Sequence, residues 1–126
     1  AAVADWRVAD ARDSKLKKSK DGLPELTLAE NPDILKTISQ LNVGRPQLVV
    51  GFAAETDDVI ANATAKRVRK GCDWIVANDV SPATGIMGGS ENDVTLITPD
   101  SAEDWPRMGK QAVADKLADR IAEALS

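Results

Sequence analysis

Gln47-Leu48-Val49-Val50-Gly51-Phe52-Ala53-Ala54 is a continuous apolar run, the pattern of a strand covered on both faces. Thr56, Asp57 and Asp58 follow, and then a longer stretch that ends in Lys66, Arg67, Arg69 and Lys70 with Gly71 beyond. Acids first, bases last and a glycine after them suit the dipole and the caps of a helix. Thr56 is therefore expected to cap that helix, with both aspartates in its first turn. Trp74–Ala77 reads as a second buried strand and Val94–Ile97 as a third, with a Gly- and Ser-rich loop over 78–92 between them. Strand–helix–strand alternation with apolar strands implies an α/β domain with a mainly parallel sheet covered by helices.

Upstream, Asn31 is placed to cap a helix with Pro32 at its first position, and Ile34, Leu35, Ile38 and Leu41 give that helix one apolar face. Glu25–Leu28 suits a short strand, residues 6–24 are polar and irregular, and Ala1–Ala4 reads as the tail of a buried strand ending at Asp5. Downstream, Val113, Leu117, Ile121 and Leu125 line one face of a C-terminal helix. The chain opens inside a strand, so the first βα unit of the fold is expected to be missing; a native start with a short edge strand is the alternative. Ligands of such sheets sit beyond the carboxyl ends of the strands. Asp5 onward, Phe52–Glu55 and Asn78–Val80 should therefore converge on one crevice.

The 126 residues suffice for one domain, 1–126, with one core. The sequence has no histidine and no tyrosine. A Ser–His–Asp triad, a Cys–His pair and a His-based zinc site are excluded within it. What remains is Lys, Arg, Asp, Glu, Asn and backbone amides, a set suited to reactions governed by phosphate charge. The net charge of −4 argues against nucleic-acid binding. No apolar run reaches the ~20 residues of a membrane helix and none resembles a signal peptide, so the expected compartment is the cytoplasm. The single Cys72 reads as a structural thiol.

Several residues carry two readings. Asp5, after an apolar run, would hold Mg²⁺ on a triphosphate or cap the next turn. Lys15-Leu16-Lys17-Lys18 is an anion clamp or a solvated loop. Lys66 and Lys70 share a helix face, for phosphates or to offset the helix dipole. Asn31-Pro32-Asp33-Ile34 offers free amides to a ligand or is an ordinary helix start. Gly85, Gly88 and Gly89 form a flap or a plain connection, and are neither a P-loop nor a dinucleotide fingerprint.

Taken in order, Ala1-Ala2-Val3-Ala4-Asp5-Trp6-Arg7, Lys15-Leu16-Lys17-Lys18, Asn31-Pro32-Asp33-Ile34-Leu35, Val50-Gly51-Phe52-Ala53-Ala54-Glu55-Thr56, Lys66-Arg67 and Ile75-Val76-Ala77-Asn78-Asp79-Val80 resemble phosphopantothenate–cysteine ligase. The resemblance runs over essentially the whole chain. It implies a Rossmann-like three-layer fold, and residues 1–126 would be the C-terminal part of the ligase domain, N-terminally truncated. In bacteria that domain is usually half of a bifunctional flavoprotein, whose FMN belongs to the decarboxylase half and not to this chain. The implied reaction joins 4′-phosphopantothenate to cysteine through an acyl-cytidylate made from CTP, with Mg²⁺ on the nucleotide, in a homodimer.

Carried over motif by motif, the resemblance makes Lys15 the residue bearing on activation. Ala1, Asp5, Lys15, Pro32, Asp33, Ile34, Leu35, Phe52, Lys66 and Lys70 become the nucleotide site, and Asp5 the metal contact. Trp6 stands where the family more usually has Tyr or Phe. The family's N-terminal glycine-rich region, with an asparagine tied to the acyl-cytidylate, is absent from these residues. The fragment alone is therefore expected to be inactive. Two other classes remain open: a nucleotide-binding or dimerisation module without catalysis, and an oxidoreductase on a Rossmann-like sheet. The second lacks any G-x-G-x-x-G here.

Overall fold

The computed structural model describes residues 3–9, 22, 26–85 and 89–126. It divides into two compact units, Ala1–Asp33 and Ile34–Ser126.

In the first unit, β1 (Trp6–Val8) pairs antiparallel with β2 (Leu28–Glu30), Arg7 facing Ala29. Both strands differ from the sequence expectation. Val3 and Ala4 lie outside any strand and are exposed, and the second strand begins at Leu28 and runs to Glu30. Asn31 explains the shift. Its backbone N–H donates to the Asp5 carbonyl (2.8 Å) and its side-chain amide to the Ala4 carbonyl (2.6 Å). Arg7 donates to the Asn31 side-chain oxygen (3.3 Å) and to the Glu30 carbonyl (2.6 Å). Asn31 thus extends the β1–β2 pairing instead of capping a helix. Lys15 and Ala1 lie outside the described residues, as do the rest of the basic cluster and Gly88.

In the second unit, α1 (Ile34–Ser39) starts beyond Pro32, which does not occupy its first position. Then come β3 (Val50–Glu55), α2 (Val59–Lys70), β4 (Trp74–Asp79), a single 3₁₀ turn (Pro82–Thr84), β5 (Glu91–Asn92), β6 (Val94–Ile97), β7 (Ala102–Asp104), β8 (Met108–Gly109) and α3 (Lys110–Leu125). The main sheet has the order β3-β4-β6-β7, and β5 pairs separately with β8.

β3 and β4 are parallel, Val50 facing Trp74 and Glu55 facing Asp79, because α2 carries the chain back between them. β4–β6 and β6–β7 are antiparallel. The expected predominance of parallel pairing therefore holds only at the first pair. Between β4 and β6 the described residues contain no crossover helix, so β6 can only run back along its neighbour.

The three-layer α/β arrangement is present. On one face, Val49, Ala53, Ala63, Cys72, Ile75, Ala77 and Ile97 form a core against which Leu35 and Ile38 of α1 and Val59 of α2 pack. On the other, Trp74, Val76, Val94, Leu96 and Trp105 meet Val113, Leu117 and Ile121 of α3. Leu125 lies at the exposed end of that helix. Gly51 sets the first interface. A Cβ there would stand 2.5 Å from Leu35 Cδ2 and 2.8 Å from Ile75 Cδ1, so any larger residue would make those methyls move. β3 is not covered on both faces as the apolar run suggests: Gly51 and Ala53 are buried, Phe52 and Ala54 are exposed, and among the described residues it pairs with β4 alone.

α2 starts later than expected. Thr56 donates to the Asp57 carboxylate (3.0 Å), and Asp58 is the N-cap in a left-handed conformation (φ 40°, ψ 53°) with no side-chain capping bond. Asn62 secures the turn, its N–H to the Asp58 carbonyl (2.9 Å) and its amide to the Asp57 carbonyl (2.6 Å). The far end is as the sequence predicts: Arg67, Arg69 and Lys70 in the last turn, then Gly71 at φ 80° donating to the Arg67 carbonyl.

Candidate site at the carboxyl end of the sheet

The carboxyl ends of β3 and β4 coincide at Glu55 and Asp79. The chain is fastened here on both sides. Val80 N–H donates to the Glu55 carbonyl (2.9 Å) and Asp79 N–H to the Asp93 carbonyl (2.8 Å). Asp93 N–H in turn donates to the Asn78 side-chain oxygen (3.2 Å). The Asp79 carboxylate turns back to accept from Ser81 N–H (2.9 Å). The Ser81 side chain first, and this N–H second, hold the Asp79 carboxyl below the usual carboxylate range. Thr84 locks the turn by donating to the carbonyls of Ser81 (2.8 Å) and Asp79 (3.3 Å), and Arg107 donates to the Thr84 carbonyl (2.6 Å).

Of the residues singled out in the sequence, Lys66 is brought here. From α2 its ammonium reaches the Glu55 carboxylate at 3.2 Å, the two side chains 28% and 16% exposed. Phe52 is on the same strand as Glu55 and is 69% exposed, an apolar ring open to a planar ligand. Lys70 lies half-buried in the last turn of α2, its carbonyl accepting from the Gln40 amide (3.4 Å). Leu35 is packed into the core and Ile34 is exposed. Asp5, Pro32 and Asp33 belong to the first unit, where Asp5 occupies an exposed bend. Cys72 is buried, and burial pushes its thiol up, away from thiolate chemistry.

The sequence reading placed Glu55 in a segment bound for the crevice but gave it no role, although the argument that drew attention to Asp5, an acid at the carboxyl end of an apolar strand, applies to it equally. It also missed a cleft of about 700 Å³ between the start of α2 and the sheet, lined by Asp58, Val59, Asp79, Asp93, Thr95 and Asp104 among others. Asp104 accepts from the Thr95 hydroxyl at 2.6 Å. Four carboxylates repel a bare polyphosphate. No group of three carboxylate or thiol ligands among the described residues could hold a metal ion, and no helix among them is long and apolar enough to cross a membrane.

A family model described as the DNA/pantothenate metabolism flavoprotein C-terminal domain matches residues 1–125. The chain is 39% identical over 126 residues to the coenzyme A biosynthesis bifunctional protein CoaBC of Vibrio cholerae, covering 99% of this chain and 31% of that protein. It is 41% identical over 123 residues to the protein of the same name from Escherichia coli K12, covering 96% of this chain and 30% of the relative. The chain thus spans under a third of the length of these curated relatives. A crystal structure of the C-terminal domain of CoaBC superposes with a TM-score of 0.71 at 32% identity, over 99% of this chain and 52% of that one. The DNA/pantothenate metabolism flavoprotein from Streptococcus pneumoniae shares the fold, with a TM-score of 0.62 at 20% identity over 81% of this chain and 44% of that one. With the family model matched over nearly all of its residues, the chain belongs to the DNA/pantothenate metabolism flavoprotein C-terminal domain family.

Proposed function

We propose that this chain carries the nucleotide-handling part of a CTP-dependent ligase that joins 4′-phosphopantothenate to cysteine in coenzyme A biosynthesis. The match of the family model across residues 1–125 carries the reading. The placement of Lys66 against Glu55, at the carboxyl end of β3 where open α/β sheets take their ligands, supports it.

In the first step a carboxylate oxygen of 4′-phosphopantothenate attacks the α-phosphorus of CTP. The bond from that phosphorus to the bridging oxygen breaks, and pyrophosphate leaves. In the second step the cysteine amine attacks the acyl carbon, CMP departs with its oxygen, and the amine loses a proton as the amide forms. Neither step needs a protein nucleophile, which agrees with a chain that has no histidine. Lys15 would stabilise charge that grows on the α-phosphate oxygens in the transition state. Lys66 and Lys70 would hold phosphates. Phe52, the backbone at Ala1 and the stretch Pro32–Leu35 would frame the nucleotide.

Mg²⁺ would neutralise phosphate charge, with Asp5 as its protein contact. Asp5 is exposed, and one exposed carboxylate suits an ion carried chiefly by phosphates and water.

A homodimer is part of the same reading, with Lys15–Leu28 contributing to the contact. Most of that segment lies outside the described residues. At its end Leu26 and Leu28 are 62% and 58% exposed, and Trp6 on the paired strand is 58% exposed. Two strands alone are marginal without a surface to pack on.

The test is Lys15→Gln in the full-length protein that contains this chain, followed by single-turnover pyrophosphate release with 4′-phosphopantothenate, CTP and Mg²⁺. A loss of about 10²-fold is expected, the scale of one transition-state donor, while Lys18→Gln stays within a few-fold. Wild-type rates for Lys15→Gln would remove Lys15 from the mechanism. Amide formation without CTP would remove the ligase reading.

A further inference from the structure

The ion pair between Lys66 and Glu55 has a property that the nucleotide reading does not supply. Glu55 is the last residue of β3, and its backbone is fixed by parallel pairing with β4 and by the bond from Val80 N–H. Lys66 sits in the middle of α2, a helix anchored by Asn62 at its start and by Gly71 at its end. Both backbones are therefore held, and only the side chains can move. Lysine is a flexible point charge with rotatable donors, unlike the rigid fork of arginine. Its partner is a singly charged carboxylate at 3.2 Å, 16% exposed, at the rim where open α/β sheets take their ligands.

We infer that Glu55 is a positioning residue: a resident counter-ion that holds the Lys66 ammonium at the sheet rim and gives it up when a nucleotide phosphate arrives. The inference rests on the assignment of Lys66 to phosphate binding made above. Two consequences follow from electrostatics alone. A doubly charged phosphate competes with the carboxylate for the same ammonium, so Glu55 weakens nucleotide binding. The carboxylate also fixes where the ammonium stands as the phosphate arrives, so Glu55 supports turnover by aligning the nucleotide it admits. A residue needed only for folding would not pull these two quantities apart.

The experiment measures CTP and inorganic tripolyphosphate binding by calorimetry, together with kcat and KM for CTP, in the full-length protein and in Glu55→Gln, Glu55→Asp, Lys66→Gln and the Glu55→Gln/Lys66→Gln double variant. Glu55→Gln should bind both probes roughly two- to fivefold more tightly, the scale of one half-sheltered ion pair, with kcat lowered by a similar factor. Glu55→Asp should restore kcat in part. The double variant should bind like Lys66→Gln, because the gain requires the lysine.

Unchanged or weaker binding by Glu55→Gln, or an equal gain in the Lys66→Gln background, overturns the inference while leaving Lys66 as a phosphate contact. Wild-type affinity and turnover in Lys66→Gln instead overturn the assignment on which it rests. Should Glu55→Gln fail to fold, the Glu55 carboxyl ¹³C resonance of the wild-type protein gives the answer. It should move on saturation with tripolyphosphate, and a resonance that stays in place counts against the exchange.

Discussion

Arg45–Asp73 and Lys66–Glu55 are ion pairs of similar shelter at opposite ends of the β3–β4 pair. Their side chains are 26% and 32% exposed in the first and 28% and 16% in the second. They differ in what else the cation does. Arg45 donates to the carbonyls of Ser39 (2.7 Å), Pro46 (3.0 Å) and Gly71 (3.3 Å) as well as to the Asp73 carboxylate (3.0 Å). The same Asp73 oxygen accepts from Val49 N–H (2.7 Å). The carbonyls of Ser39 and Gly71 lie at the negative ends of α1 and α2, so one guanidinium ties both helices to the start of β3. Among the described residues Lys66 meets one carboxylate oxygen, of Glu55. One end of the sheet is locked by a planar fork with several acceptors, and the other is closed by a contact that can be exchanged.

The comparison can be broken by mutation. Arg45→Ala should destabilise this chain by about 2 kcal/mol, because it strips several acceptors and leaves a half-sheltered carboxylate without its cation. Lys66→Ala should cost less than about 1 kcal/mol. Urea unfolding of both variants is the check, and equal losses would erase the distinction between a lock and an exchangeable pair.

A smaller effect of opposite sign is expected at the rim. Asp58 has a left-handed backbone and no capping bond to offset it. Asp58→Gly should raise stability by about 0.5 kcal/mol, the strain relieved less the entropy of the added glycine. A loss of stability on thermal unfolding would mean that the Asp58 side chain matters to the fold. The smallest effect is a pH dependence. The folded state holds Asp79 below the usual carboxylate range, so its contribution is complete above the unfolded value and disappears as pH falls through the folded one. Asp79→Asn should flatten the acid limb of a plot of urea midpoint against pH. An unchanged limb would assign that acid sensitivity to other groups.

Much of the second unit was legible because its residues obey local rules. Val94–Ile97 is buried throughout and appears where the apolar run placed it. Gly71 ends α2, and Val113, Leu117 and Ile121 face the sheet. What escaped were features decided by tertiary partners. The direction of β6 depends on the connection that precedes it and not on its own composition. Asn31 has the chemistry of a helix cap but finds the carbonyls of Ala4 and Asp5, just ahead of β1. The Glu55–Lys66 pair joins a strand end to a helix middle, and no periodicity of either element predicts it. Lys15 and Ala1, whose roles come through resemblance, lie outside the described residues.

The return of β6 and β7 along β4 has a consequence for the order in which loop entropy is lost. Ile97 pairs with Ala102 across a tight turn closed by Thr98, whose N–H donates to the Ser101 carbonyl, so the β6–β7 hairpin demands little closure. β4 joins it across a longer segment whose two feet stand side by side, at Asp79 and Asp93. The parallel β3–β4 pair demands more, since α2 must be traversed before the first ladder bond forms. Because both feet of the 80–92 segment stand on the same rim, its length can change without altering the register of the strands it joins.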